Sequence, residues 1–180
     1  MDDDRRVRRT RTQLRAATLR LLADDSTRLT MAAVAAAADV NRSTVHQHYD
    51  SVDALICDAL ADRLLAIASE LTECPFADDR DRPPRQLVAL FDAVADAAPV
   101  LSRLGPSASA RVQHQLTGSL AAVLDARFRA GQRPPGFGRV RPELQADFVA
   151  AGLINLALRR GHADTARRLA GQAWRLIRGH

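Results

Sequence analysis

The chain has 180 residues, 47% of them apolar and 4% aromatic, and its 26 basic residues, all arginine, outnumber 21 acidic ones for a formal charge of +5. Alanine and leucine supply most of the apolar fraction, which favours helices over strands, and the positive balance suits an anionic partner. The longest apolar run, Phe148 to Leu158, falls well short of the ~20 residues a membrane helix needs, and the opening MDDDRRVRR lacks the apolar core of a signal peptide. No membrane partner is therefore expected.

Met1 to Arg11 is a charged arm. It is expected either as a solvated tail or as a segment that adds phosphate or minor-groove contacts when DNA is present. A first helix runs from about Arg8 to Ala23 with Leu14, Thr18, Leu21 and Leu22 inward. Its Arg11 and Arg15, one turn apart, are placed to flank a DNA backbone. After a polar link at Asp24 to Arg28, Thr30 is a good N-cap, because its hydroxyl can accept a first-turn N–H. The second helix then spans about Met31 to Ala38, with Met31, Val34 and Ala35 on one face. Asp39 sits where the chain must turn, and Asp tolerates the left-handed conformation better than most residues. Asn41 can cap a third helix, about Arg42 to His48, whose inward face is Val45 and Tyr49. Arg42, Ser43, Thr44, His46, Gln47 and His48 point outward. Two short helices, one covered in hydrogen-bonding groups, form the layout of a DNA-reading helix-turn-helix.

A fourth helix opens at Asp50-Ser51, with Asp53 complementing the positive end of its dipole. Its apolar period lasts from Leu55 to Leu71. That period places Cys57 and Cys74 on one helix about 25 Å apart at about 1.5 Å per residue. A disulfide needs Cα atoms within about 7 Å, so free thiols and a cytoplasmic location are expected. Cys74 to Pro84 is a charged loop. A fifth helix covers Arg85 to about Ala98, Pro99 interrupts it, and Val100 to Leu104 is a short sixth. The seventh spans Ser107 to Ala130, the eighth about Glu143 to Arg160 and the ninth about Ala163 to Arg178, with an irregular loop at Gly131 to Pro142. The expected fold is all-α with about nine helices.

The run from Leu29 to Leu55, LTMAAVAAAADVNRSTVHQHYDSVDAL, resembles the DNA-binding segment of TetR-type transcriptional repressors. The matching features are Thr30, the Val-Ala pair inside the second helix and the turn ending in Val40. Arg42, Thr44 and His48-Tyr49 follow in the third helix, then Ser51, Asp53 and Leu55. The resemblance implies a DNA-binding domain at 1–52 and a helical effector-binding and dimerisation domain at 53–180. It also implies phosphate contacts for Thr30, Thr44, His46 and His48; Ser43 carries a further donor suited to phosphate, Gln47 could read adenine or touch a phosphate, and Tyr49 is expected packed inside with only its hydroxyl near the DNA backbone. Arg42 is the residue expected to read a base, because a guanidinium can donate twice to guanine; the shorter donors suit phosphates. The sequence departs from the family pattern at Asp39, where glycine is usual, at His46, where an aromatic is common, and at Val52, where a basic residue is common.

The eighth helix is apolar around most of its circumference, so both sides need cover. Phe148, Ala151, Gly152 and Leu156, with Leu169, Ala173, Trp174 and Ile177 on the ninth, are the expected interface with a second copy. In the resembling family the last two helices pair as a four-helix bundle, and helices 4 to 7 surround a small-molecule pocket. His114 with Gln113 or Gln115 on the seventh helix, and Asn155 on the eighth, are the polar candidates for contacting a largely apolar effector. A two-fold dimer presents two reading helices about 34 Å apart to a palindromic operator. No catalytic residues, metal ligands or cofactor motif stand out: His46 and His48 do not share a helical face, and nucleophile elbows and phosphate-cradling glycine loops are absent. The expected protein is a dimeric repressor, not an enzyme. The competing expectation is a ligand-binding or protein-interaction module with weak or lost DNA binding.

Overall fold

The computed structural model describes residues 2–24, 28–77, 82–135, 139–159 and 165–178. Among these are eight helices and no strand: α1 (Asp2–Ala23), α2 (Met31–Ala37), α3 (Arg42–His48), α4 (Val52–Ser69), α5 (Arg85–Leu101), α6 (Pro106–Arg129), α7 (Pro142–Leu158) and α8 (Ala166–Arg178).

Four boundaries differ from expectation. The arginine-rich arm is not a tail: α1 is helical from Asp2. Arginine is a good helix former, and Asp4 pairs with Arg8 one turn on at 3.1 Å. Pro99 does not break α5 but lies inside its last turn, so the expected fifth and sixth helices are largely one. Pro99 forfeits its own N–H bond and crowds the carbonyl four residues back, and α5 ends two residues after it. Helix α4 ends at Ser69, so Cys74 lies beyond it, in the turns that follow, and is buried there; both cysteines are free. Helix α8 begins at Ala166; the expected start at Ala163 and the expected last residue of the eighth helix, Arg160, lie outside the described residues.

The chain divides into two compact units, Met1–Asp62 with Val100–Val112, and Arg63–Pro99 with Gln113–His180. The first unit thus keeps ten residues past the expected boundary at 52 and recruits the end of α5 with the start of α6. Its core joins Leu14 and Ala17 of α1, Met31, Val34 and Ala35 of α2, Val45 and Tyr49, and Leu55 of α4. Leu14, Ala17, Val34, Val45 and Leu55 are fully buried. Each large aliphatic chain so buried contributes about 1.5–3 kcal/mol, which is how two seven-residue helices, far too short to persist alone, are held.

Arginines close the remaining gaps in this unit. Arg20 donates to the carbonyl of Ala37 at 2.7 Å, satisfying the end of α2. Arg103, brought in by the 100–112 segment, donates to the carbonyls of Leu22 and Asp24 and so caps α1.

In the second unit the core is built on Leu64, Ile67, Leu71, Phe76, Leu87, Leu90, Phe91, Leu124, Phe128, Leu153, Ile154 and Trp174, all nearly or fully buried. Phe76 meets Phe128 edge-on with centroids 5.5 Å apart and also contacts Trp174. Burial pushes the Cys74 thiol up to about 12.

Candidate nucleic-acid interface

The turn between α2 and α3 has a defined geometry. Asp39 adopts φ 52°, the left-handed conformation. Its N–H donates to Ala36 and that of Val40 to Ala35, at 3.2 and 3.0 Å. These are the two bonds of a Schellman motif, with Asp39 at the position glycine prefers. Helix α6 ends the same way, with Gly131 at φ 83° in that position. The substitution of Asp39 for glycine therefore changes the cost of the turn, not its shape.

Both short helices are capped as their sequences require. Thr30 Oγ1 accepts from Ala33 N–H at 3.1 Å, and Asn41 Oδ1 accepts from Ser43 N–H at 3.4 Å. The capping bond uses a lone pair of Thr30, so its hydroxyl hydrogen is still available to donate outward. Ser51 caps α4 by accepting from Ala54 N–H at 3.1 Å.

Helix α3 turns one side chain inward, Val45. Arg42, Ser43, His46 and Gln47 are exposed and form a continuous outward face; Thr44 and His48 are half-buried at its margins. Thr30 is exposed at the start of α2. Tyr49 stands apart from the other expected contacts. It is 6% exposed and its hydroxyl donates to the Asp58 carboxylate on α4. Val52, half-buried, packs against the core of this unit.

Arg11 joins the same carboxylate at 3.2 Å, and its guanidinium lies 5.7 Å from the centroid of the Tyr49 ring. Burial, followed by the hydrogen bond to Asp58, raises the Tyr49 hydroxyl above its ordinary value, and the contacts with Tyr49 and Asp58 raise Arg11. One turn on, Arg15 pairs with Asp62 at 2.6 Å. The two arginines expected beside DNA thus form two rungs between α1 and α4. Sequence reasoning missed this ladder, although its signal was present: Arg11 and Arg15 match Asp58 and Asp62 in spacing. Its effect is to fasten the C-terminal end of α3, through Tyr49, to α4.

Gln113 on α6 is half-buried, while His114 on α6 and Asn155 on α7 are exposed. Asn155 donates to Ala151 of its own helix at 2.9 Å. The eight expected interface residues fall into two sets. Leu169, Ala173, Trp174 and Ile177 are buried within the chain, at 1–7% exposure. Phe148 is 70% exposed and Gly152 is exposed, with Ala151 and Leu156 half-buried.

This geometry defines a class first: a helix-turn-helix unit carried by an all-α chain. Residues 14–58 match the model for bacterial regulatory proteins of the tetR family. The fold is also that of three solved regulators. One is the TetR family repressor AlkX from Dietzia sp. strain DQ12-45-1b, implicated in biodegradation of n-alkanes, at TM-score 0.64 and 16% identity over 94% of this chain and 93% of that one. A TetR transcriptional regulator from Streptococcus agalactiae 2603V gives TM-score 0.64 and 17% identity over 98% of both chains. FadR of Thermus thermophilus, a TetR family repressor in complex with lauroyl-CoA, gives 0.62 and 20% identity over 93% and 92%. No curated protein matches the sequence. The N-terminal segment is a TetR-family DNA-binding unit, and the chain has the fold of a TetR-family transcriptional regulator. No helix among the described residues is long and apolar enough to cross a membrane.

Proposed function

We propose that the protein is a homodimeric transcriptional repressor that reads a palindromic operator with α3 and is released by a small effector. The observation that carries this reading is the outward face of α3, where Arg42, Ser43, His46 and Gln47 stand over a buried Val45. Arg42 is the base-reading residue, and Thr30, Ser43, Thr44, His46, Gln47 and His48 are the positioning contacts. Tyr49 acts from inside by holding the end of α3.

Dimerisation is supported by α7. Leu144 and Phe148 are 48% and 70% exposed, and Gly152, Asn155 and Leu158 continue the stripe. Leu176 on α8 is 69% exposed. Single exposed apolar residues are ordinary, but a contiguous stripe marks an interaction surface. A Cβ added at Gly152 would meet no atom of its own chain within 4 Å, so the glycine is not needed for packing inside the subunit and leaves room for a close neighbour. Effector release requires only that the ligand bind one dimer geometry better than the other. The Thermus thermophilus neighbour, crystallised with lauroyl-CoA, supports a ligand with a long apolar part, for which Gln113 is a half-buried polar candidate.

The test is a titration against DNA from the protein's own promoter region. Arg42→Ala is expected to cost about 1–3 kcal/mol of specific binding and relax preference at one base position. Uniform weakening across all sequences makes Arg42 a phosphate contact and sinks its assigned role. The alternative, a module with weak or lost DNA binding, is favoured by the exposed Asp39 at the turn and by Val52, packed into the core where a cation is common. A folded dimer that gives no shift at low salt selects it.

A further inference from the structure

We propose that Arg103 is a positioning residue of the reading head: from the turn between α5 and α6 it holds the end of α1 and, through Arg20, the turn that aims α3. The last four carbonyls of a helix have no partner inside it. In α2 these belong to Val34, Ala35, Ala36 and Ala37. The turn satisfies three of them locally, with the N–H groups of Ala38, Val40 and Asp39 donating to Val34, Ala35 and Ala36. The fourth is met from another helix, where Arg20 Nη2 donates to the Ala37 carbonyl at 2.7 Å. Arg20 thus fastens to α1 the backbone that enters the left-handed turn at Asp39.

Arg20 itself stands in a helix end. It lies in the last turn of α1, and its carbonyl accepts the bond that closes that turn, from Asp24 N–H at 3.1 Å. Arg103, half-buried, donates to the carbonyls of Leu22 and Asp24, one from each terminal nitrogen of its guanidinium. Two donors on one rigid plane fix the orientation of the groups they meet as well as their position. When this last turn of α1 frays, Arg20 loses its fixed origin and the Ala37 carbonyl loses its donor. Arg103 therefore acts on the turn at one remove.

The origin of Arg103 gives the link its consequence. The segment Val100–Val112 belongs to the first unit, and its Ala108 and Val112 are buried. The chain on either side of it, up to Pro99 and from Gln113, belongs to the second unit, so α6 begins in the first unit and ends in the second. A shift of α5 or α6 in the second unit reaches the first through the segment that carries Arg103. This consequence deepens the effector reading above and rests on it: release needs a part of the first unit that the second can move.

Amide hydrogen exchange of the full chain, followed by NMR, tests the link without DNA. Arg103→Gln should speed exchange at Ala38, Asp39 and Val40 by about threefold to tenfold, the range of one net hydrogen bond. Arg20→Gln should do the same, and the double variant should not exceed the larger single effect, because the bonds act in series. Arg103→Lys, which keeps a charged donor, should restore part of the protection. Arg20 is exposed, so Arg20→Gln tests the same link should Arg103→Gln not fold. Arg63→Gln breaks an arginine bond to the Asp96 carbonyl within the second unit and should leave the three amides unchanged. No acceleration at Ala38 to Val40, or equal acceleration along α7, overturns the inference. Operator titration reads the consequence. Arg103→Gln should weaken specific binding by about threefold to tenfold, with an unchanged salt slope because Arg103 meets carbonyls and not phosphates. Unchanged affinity, or a slope lower by about one, overturns the positioning role. Absence of operator binding by the parent overturns the repressor reading alone, because exchange decides the link.

Discussion

Replacing Asp58 with alanine tests whether the reading helix is held by its tyrosine. The carboxylate serves two partners, the Tyr49 hydroxyl and Arg11 at 3.2 Å. Tyr49 is 6% exposed, so removing Asp58 strands a buried donor, at about 1–3 kcal/mol. Arg11 is 50% exposed and recovers most of its lost partner from water, adding at most about 1 kcal/mol. The expected loss is about 2–3 kcal/mol. Tyr49→Phe removes the donor but leaves Asp58 with Arg11 and solvent, at about 1 kcal/mol. The double variant should cost less than the sum, because the stranded hydroxyl is absent from it. Urea unfolding followed by circular dichroism gives these values. Fluorescence of Trp174, the single tryptophan, reports the second unit and tells local loss from global. An Asp58→Ala variant within about 0.5 kcal/mol of the parent, or strict additivity, refutes the reasoning. The same cycle has a pH signature. The folded Tyr49 hydroxyl titrates above its ordinary 10.0, through burial and then Asp58. Its protonated form therefore contributes stability in full below pH 10.0, and that contribution is lost as pH rises through the raised folded value. Tyr49→Phe should abolish that alkaline loss.

Asp39→Gly should raise the melting temperature, because glycine relieves about 1–2 kcal/mol of left-handed strain against about 0.4–1 kcal/mol of extra unfolded-chain entropy; Asp39→Val should lower it. Phe148→Asp should leave the subunit folded and convert the dimer to monomer in analytical ultracentrifugation, since each copy removes up to about 1.5–3 kcal/mol of apolar burial; an unchanged dimer refutes the α7 face. Maleimide labelling should modify the half-buried Cys57 slowly and leave Cys74 intact until urea unfolds the chain, because burial raises both thiols and holds Cys74 at about 12.

Local signals carried far in this chain. The caps at Thr30, Asn41 and Ser51, the left-handed Asp39 and the inward Val45 depend on contacts within a few residues, so the helix-turn-helix is legible from its own letters. A run of charged residues has no apolar period and so hides the start of α1, whereas helix formation there draws on arginine propensity and an Asp4–Arg8 pair. Proline reads as a breaker because its ring costs a helix interior dearly, yet α5 carries Pro99 and ends two residues later.

Pattern could not say which apolar residues a subunit uses for itself. Leu169, Ala173, Trp174 and Ile177 read as a free stripe, yet folding within the chain buries all four, while Phe148 stays exposed. Periodicity reports that a face is apolar and not what covers it. The sequence by itself determined the all-α class and the reading head, because both rest on short-range propensity and capping. Only the tertiary structure decided that Tyr49 turns to Asp58 and that Arg11 and Arg15 meet α4. Those pairings join residues 9 to 47 positions apart, and no local rule reaches across such a separation.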